Sequence, residues 1–458
     1  METTQSSELL PLSELILSLT TALDMTEGQP LEHCIRCCWI GMHIGERYGL
    51  KDQELYDLFF TLLLKDAGCS SNAARICELY LTDDREFKNE FKKVNGSLSS
   101  VLNFVFHQAG KGQSWTKRIS TTIDILKNGS DYAQDLIQTR CSRGADIAKE
   151  LGFSDATAQG VHSLDEHWDG SGRPDQLSGE AISLFSRIAL ISQVVDVFQF
   201  EQDIDSAVKE ATQRSGEWFD PELVKIVELL AQDDEFITGL SNANIKHKVM
   251  ELAPAQANIR VDDEYFDSIV TAFGKIIDSK SPYTAGHSER VAVFTDLIAE
   301  ELNIQEEDRI WLRRAALLHD VGKLGVSNTI LDKPGKLDPH EWEAVKAHAA
   351  FTEEILDKIS PFKSLARMAG AHHEKLDGTG YPRGVSANDI SLMTRIITTA
   401  DIFDAITAER PYRAAMPVAK ALSIMQENLE TAIDRRCFDA LKLSLDKLPV
   451  GFTERLSD

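Results

Sequence analysis

The chain reads as an all-α protein made of two tandem helical domains. Three observations carry this reading. Apolar residues recur at helical spacing through most of the length, as in SRIALISQVVDVF (186–198) and MTRIITTADIFDAI (393–406). Alternating β-branched runs are scarce, so strands have little to build on. Segments of the first half return in order in the second, the mark of an internal duplication.

In chain order, residues 8–24 carry an amphipathic helical pattern. PLEHCIRCCWIGMHIGERYG (30–49) carries another, stopped by Gly49, and a third runs from Asp52 to Asp66. Residues 70–140 read as mostly helical, with polar breaks at Thr82–Asp84, Asn95–Gly96 and Gly110–Gly112. RCSRGADIAKELG (140–152), the turn-rich EHWDGSGRP (166–174), the apolar helix at 186–198 and RSGEWFDPELVKIVELL (214–230) complete the first half. The expected domains are 1–234 and 262–458. Residues 235–261, polar around Ala253–Pro254–Ala255, are expected to be a linker or connecting helix. The second half repeats the plan and ends its helical series near the turn RPYRAAM (410–416).

The duplication has a measurable register. LLLKDAG (62–68) matches ALLHDVG (316–322), and LEHCIRC (31–37) matches AGHSERV (285–291), both at an offset of 254. WDGSGRP (168–174) matches LDGTGYP (376–382), and SRI (186–188) matches TRI (394–396), at an offset of 208. The first copy therefore carries about 46 additional residues between its third helix and the RCSRG helix. WFDP (218–221) has a weaker echo in CFDA (437–440).

Composition narrows the function classes. The net charge is −25, so the basic footprint expected for long nucleic acid is missing. Seven cysteines, an odd number set mostly within apolar helical patterns, suit buried thiols in a reducing cytosol. The start, METTQSSELLPLSEL, lacks a basic n-region, so no secretory signal is expected. The longest apolar run, Leu58–Leu64, falls far short of a membrane span. A cytoplasmic protein without membrane contact is the expectation.

The chemistry concentrates in the second copy. AALLHDVGKLGV (315–326) places His319 beside Asp320 at a helix end, with Lys323 three residues on. Neighbours at a helix end point in different directions, so such a pair can reach two ions or two corners of one. His287, His348, the pair His372–His373 and Asp401 extend the candidate ligand set. Imidazole with carboxylate suits Fe, Mn, Zn, Ni or Co, and the absence of Cys argues against a structural zinc site. Asp320 is the natural bridge between two cations. Two metals about 3.5–4 Å apart are a recurrent device for hydrolysing phosphate esters. Lys323 is placed to bind a phosphate oxygen. Gly378 and Gly380 allow close backbone approach beside Tyr381, and Arg410 and Arg413 make a cationic turn suited to a second phosphate or a guanine edge. Singly, each of these is weak: a lone His is usually packing, and DGTG is usually a turn.

Together, HSERV, HD-x-GK, HHE-x-x-DGTGYP and AD-x-FDA resemble the HD-GYP subfamily of HD-domain metal-dependent phosphohydrolases, over roughly residues 265–445. The resemblance implies an all-helical domain with a two- or three-metal centre of iron or manganese type. It also implies phosphodiesterase action on bacterial cyclic dinucleotides, cyclic di-GMP or the hybrid cyclic GMP-AMP. Carried over by motif, His287, His319 and Asp401 hold one metal and His348, His372 and His373 the other, with Asp320 bridging. Some members bind a third metal through a Glu four residues before the first His; here that position is Tyr283, so two are expected. Ala349 and Thr352 stand where the family usually has Pro and Gly. The resemblance also suggests a diguanylate cyclase (GGDEF) domain as a partner of the GYP loop.

By the same register the first copy keeps His33 and Asp66. It has Lys65 for His319, Arg140 for His348, Leu164 and Asp165 for the His–His pair, Gln193 for Asp401 and Cys69 for Lys323. A degenerate domain without a catalytic metal centre is expected, serving dimerisation or regulation. The Cys34–Cys37–Cys38 cluster is read as packed thiols rather than a sensor. Two competing functions remain: a low-turnover cyclic-dinucleotide receptor or adaptor, and another HD metallophosphohydrolase acting on mononucleotides.

Overall fold

The computed structural model describes residues 11–94, 98–409 and 413–447. Among the described residues no strand forms, only isolated bridges. The chain makes two compact units and passes from one to the other at Asp262–Asp263.

The first unit contains α1 (Leu12–Thr26), α2 (His33–Tyr48), α3 (Asp52–Leu64), α4 (Ala73–Tyr80), α5 (Asp84–Phe91), α6 (Leu98–Gln108), α7 (Trp115–Glu150), α8 (Asp155–His162), α9 (Leu184–Glu201), α10 (Ile204–Gln213), α11 (Pro221–Leu230), α12 (Asp234–Leu240) and α13 (Ile245–Glu251). The second contains α14 (Asp263–Asp278), α15 (His287–Glu301), α16 (Glu306–Leu318), α17 (Asn328–Leu331), α18 (Pro339–Asp357), α19 (Lys363–Gly370), α20 (Leu392–Thr407), α21 (Val418–Glu427) and α22 (Arg435–Lys447).

The stretch 235–261, expected as a linker or connecting helix, is instead part of the first unit. It folds as α12, α13 and a short 3₁₀ turn that pack on α1 and α2. Phe236, Leu240, Ile245 and Val249 are buried, and the Trp39 indole N–H donates to the Phe236 carbonyl at 3.1 Å. Phe236 with Leu240 and Ile245 with Val249 stand four apart, so each short helix turns one apolar edge inward. A second departure is α7, which runs unbroken for 36 residues and fuses the RCSRG helix to the additional segment. That segment builds its own small core from Ile76, Tyr80, Phe87, Phe104, Ile125 and Leu136.

Each unit is organised around one central helix, α2 with twelve of its sixteen residues buried and α15 with eight of its fifteen. Gly41 and Gly45 let α3 lie close on α2; a Cβ at Gly41 would sit 2.6 Å from the Leu62 methyls. The two copies then share their polar fastenings residue by residue. Arg36 Nε donates to Asp196 Oδ1 at 2.6 Å and its NH1 to the Leu31 carbonyl at 3.0 Å. Arg290 does the same to Asp404, at 2.6 Å, and to the Ala285 carbonyl, at 2.8 Å. Glu166 accepts the N–H groups of Asp175 and Leu177, as Glu374 accepts those of Arg383 and Val385. Asp24 accepts the Cys34 N–H at 2.8 Å and Asp278 the Ser288 N–H at 3.0 Å. Arg173–Pro174 and Tyr381–Pro382 are both cis. These pairs stand at the offsets read from the sequence.

Two predictions follow from these fastenings. A Cβ on Gly322 would lie 2.0 Å from the His348 carbonyl oxygen, and one on Gly68 would lie 1.9 Å from that of Arg140. Gly322→Ala and Gly68→Ala are expected to cost at least ~1–3 kcal/mol in denaturant unfolding. Gly335→Ala, where a Cβ meets nothing within 4 Å, serves as the neutral control. Burial pushes the Asp24 carboxyl up to about 7, against the hydrogen bonds from Cys34. A raised folded pKa gives stability that is full below the ordinary value of 3.8 and is lost as pH rises through about 7. Wild type is therefore expected to lose more unfolding free energy than Asp24→Asn between about pH 5 and about pH 8.

Candidate metal centre

Five segments of the second unit bring the candidate ligands together: the start of α15, the end of α16, α18, the stretch after α19, and α20. Gly286, in the left-handed region at φ 66°, turns the chain into α15 so that His287 is its first residue. The helix start is anchored by Asp278, which accepts both the N–H and the hydroxyl of Ser288. α16 ends at Leu318; His319 caps it and Asp320 begins a 3₁₀ turn, Val321–Gly325. α18 starts with Pro339 behind a reciprocal Asp338–Glu341 capping box, which sets the phase that turns His348 inward. Thr352 ties α18 to the end of α16. Its hydroxyl donates to the His319 carbonyl at 2.8 Å and accepts the Gly322 N–H at 3.1 Å.

All seven side chains converge, in two groups. His287, His319 and Asp401 offer donor atoms within 4.8 Å of one another, and so do Asp320, His348, His372 and His373. Asp320 also faces the first group. Its Oδ2 lies 3.4 Å from Nε2 of both His287 and His319. Its Oδ1 lies 3.4 Å from His348 Nε2 and 3.7 Å from His372 Nε2. The other ring nitrogens are tied back. Nδ1 of His319 donates to the Ala316 carbonyl, that of His372 to the Ala369 carbonyl and that of His348 to the Val345 carbonyl. His287 Nδ1 bonds Asp404 Oδ2 at 2.6 Å. Every ring so oriented turns its Nε2 toward Asp320.

Three buried polar atoms at the centre, His287 Nε2, His319 Nε2 and Asp320 Oδ1, have no hydrogen-bond partner. Buried polar atoms are rarely left so. A cation in the first group would satisfy the two imidazoles and one in the second would satisfy Asp320 Oδ1, and the imidazole–carboxylate donor set fits a transition metal. Burial holds His348 down to about 4 and His373 down to about 3, and keeps His372 well below its usual range. These rings are neutral, as ligands must be. Burial alone would raise Asp320, but Lys323 and the imidazoles hold it well below the usual carboxylate range. Burial opposes charge on His287 as well, yet Asp320, Asp404 and Asp401 bring it up to about 9.

The remaining expected residues fall differently. The Lys323 ammonium bonds Asp320 directly. Tyr381 lies beside the cluster, its ring 4.8 Å from that of His373 and 6.0 Å from that of Trp342. Gly378 takes φ 77°, and Gly380 packs where a Cβ would sit 2.3 Å from the Lys375 nitrogen. Arg413 is engaged elsewhere: it donates to the carbonyls of Ala405 and Ile406 at the end of α20, a capping task that competes with a substrate contact. Arg410 lies outside the described residues. Asp404 and Arg290 are additions. Both stand in the motifs AD-x-FDA and HSERV, but only the folded chain shows that Asp404 orients His287 and Arg290 clamps Asp404.

The first unit fills the matching place with its own side chains. The Lys65 ammonium bonds Asp66 and lies 3.2 Å from both His33 Nε2 and Gln193 Oε1. Those three residues correspond to Asp320, His287 and Asp401. On the other side of Asp66 sits buried Glu27, paired with Lys92 at 3.1 Å and Lys88 at 3.6 Å. Both lysines come from the additional segment. Arg140 pairs with Asp165. Two triads there, His33–Cys37–Asp196 and Glu27–Asp66–Cys69, also bring donor atoms within 4.8 Å, but Arg36, Lys65, Lys88 and Lys92 already neutralise their carboxylates. Cys34, Cys37 and Cys38 are buried free thiols whose pKa burial pushes up, so none is a ready thiolate.

Asp404→Asn removes the charge that orients His287. It is expected to weaken metal retention by about 10–100-fold, read as metal content after dialysis against graded chelator, with an unchanged helical spectrum.

The HD domain family model matches residues 106–223 and 272–437. The chain is 71% identical over 444 residues, 97% of its length and 96% of the relative's, to the 3'3'-cGAMP-specific phosphodiesterase 3 of Vibrio cholerae serotype O1. It is 36% identical over 161 residues, 35% of this chain and 44% of the relative, to a cyclic di-GMP phosphodiesterase of Thermotoga maritima. A crystal structure of a cyclic GMP-AMP specific phosphodiesterase of V. cholerae aligns at a TM-score of 0.66 and 66% identity, covering 96% of this chain and 98% of that one. The chain belongs to the HD-domain family of metal-dependent phosphohydrolases, as a tandem member of its HD-GYP subfamily.

Proposed function

We propose that the second unit is a metal-dependent phosphodiesterase that opens a bacterial cyclic dinucleotide, with 3'3'-cyclic GMP-AMP preferred over cyclic di-GMP. The observation that carries this is the convergence of five imidazoles and two carboxylates around Asp320. The near full-length likeness to a relative named for 3'3'-cGAMP supports the preference. His287, His319 and Asp401 would hold one divalent transition metal and His348, His372 and His373 the other, with Asp320 giving an oxygen to each. The donors suit iron or manganese, and also accept nickel, cobalt or zinc. Such a pair, when bound, supplies positive charge opposite the phosphodiester and lowers the pKa of water.

The chain's own groups do the rest. Lys323 keeps Asp320 ionised and donates from its half-buried position to a non-bridging phosphate oxygen. Gly378 and Gly380 let the loop backbone come close, and Tyr381 with Trp342 offers an aromatic edge to a base. Hydrolysis puts the water oxygen on phosphorus, and the ester oxygen leaves with a proton, giving a linear dinucleotide. The first unit, its centre filled by Lys65, Lys92 and Arg140, acts as an association and regulatory module without metal chemistry. The protein works in the cytoplasm, and no helix among the described residues is long and apolar enough to cross a membrane. A diguanylate cyclase domain is the candidate partner of the GYP loop.

Anaerobically purified protein is expected to carry near two transition metals and to hydrolyse 3'3'-cyclic GMP-AMP. Asp320→Ala should abolish turnover. Lys323→Ala should lower kcat by about 10²–10³-fold with metal retained. A metal-loaded protein that binds the nucleotide tightly but never cleaves any cyclic dinucleotide would be a receptor, and the proposal would fail.

A further inference from the structure

The additional segment of the first unit carries an apolar surface that its own fold leaves uncovered. Of fourteen exposed large hydrophobic side chains among the described residues, eight lie between Phe91 and Leu126. Trp115, Ile119, Ile123 and Leu126 follow one another at steps of four, four and three along α7, a single helical stripe. They are 72%, 52%, 48% and 56% exposed. The opposite, inner side of α7 is served by Thr121, Ile125 and Leu136, which are buried. Leu102 and Phe106 on α6 are also exposed. Phe106 is held to α7 by Arg118, which donates to its carbonyl at 2.8 Å and lies 5.5 Å from its ring centre.

We infer that this α6–α7 face is where two copies of the chain associate. The inference rests on reading the first unit as an association module and is independent of the metal chemistry. Area supports it. At about 200 Å² for a fully exposed large side chain, the six exposures amount to roughly 650 Å². A stable interface takes about 800 Å² per partner, of which some 56–65% is apolar. Monomeric proteins rarely expose so much in one patch. Charge supports it too. With 73 Asp and Glu and a net charge of −25, two copies repel across most of their surface. Yet no acidic residue occurs between Glu90 and Asp124, so this is where they meet without that repulsion. The stripe is also self-complementary. A two-fold axis crossing α7 near residues 120–121 sets Trp115 across from Leu126 and Ile119 across from Ile123 in an antiparallel pair. A lipid surface is the competing occupant, because interfacial helices line their polar side with Lys and Arg and Lys117 and Lys127 stand there beside Thr116, Ser120, Asp124 and Asn128; the self-complementary spacing of the stripe favours a second copy.

Sedimentation velocity of the full chain across the micromolar range tests this. Wild type is expected to run as a dimer. Ile119→Glu with Ile123→Glu should weaken association by about 100-fold or more, leaving the helical spectrum and dinucleotide turnover per chain unchanged. Hydrogen exchange of wild type supplies a measure that needs no variant: protection over residues 113–127 should rise with protein concentration. A chain that stays monomeric at every concentration overturns the inference. So does a dimer that survives the double substitution, or a monomer that instead binds phosphatidylglycerol vesicles through this face.

Discussion

One buried carboxylate sets the terms for the second unit. Asp320 presents one oxygen to His287 and His319 and the other to His348 and His372, and almost none of it reaches solvent. A charge so placed is costly unless it is paired and its surroundings are held still. The surrounding fold does both. Lys323 keeps it ionised, Thr352 locks the turn that carries it to α18, and Asp278 anchors the start of α15. Four of the five imidazoles are fixed through Nδ1, three of them to carbonyls three residues back in the chain and His287 to Asp404. These supports are short and buried, some local in the chain and others, such as His287 to Asp404, reaching across it.

The first unit keeps the same frame around a different set of side chains. Its arginine clamp, its glutamate-pinned turn and its close glycine contact all persist, at the same register. At the centre the difference is chemical: a covalently attached ammonium on Lys65 occupies the place between Asp66, His33 and Gln193. An attached cation neutralises the inherited carboxylate but offers no open position and activates no water. Lys88 and Lys92 do the same for Glu27 from the additional segment. That segment therefore has two physical consequences: it completes the neutralisation of the old centre, and it brings an apolar helical face to the surface.

The loop after the His–His pair brings aromatic surface to the centre. Tyr381 and Trp342 meet edge to face, with the Tyr381 ring next to that of His373. Arg413, attractive as a phosphate contact by its type, serves the carbonyls that end α20. A guanidinium near a helix C-terminus finds acceptors there before any ligand arrives.

By itself the sequence determined the helical class, the duplication with its two offsets, and the seven residues that gather at the centre. These were legible because helical periodicity is a local signal and because adjacent pairs such as His319–Asp320 keep their meaning at any distance from their partners. Tertiary structure alone decided the rest. Which oxygen of Asp320 faces which imidazoles depends on how four segments cross. The roles of Asp404, Arg290 and Thr352 depend on contacts spanning about thirty to more than a hundred residues. Residues 235–261 mix apolar and polar residues along the chain, and only the fold shows that six of the apolar ones, between Phe236 and Val261, are buried, with α1 and α2 as packing partners. Lys65 could be read as a fixed charge at a lost ligand position, but its three partners became visible only when α2, α3 and α9 were brought together.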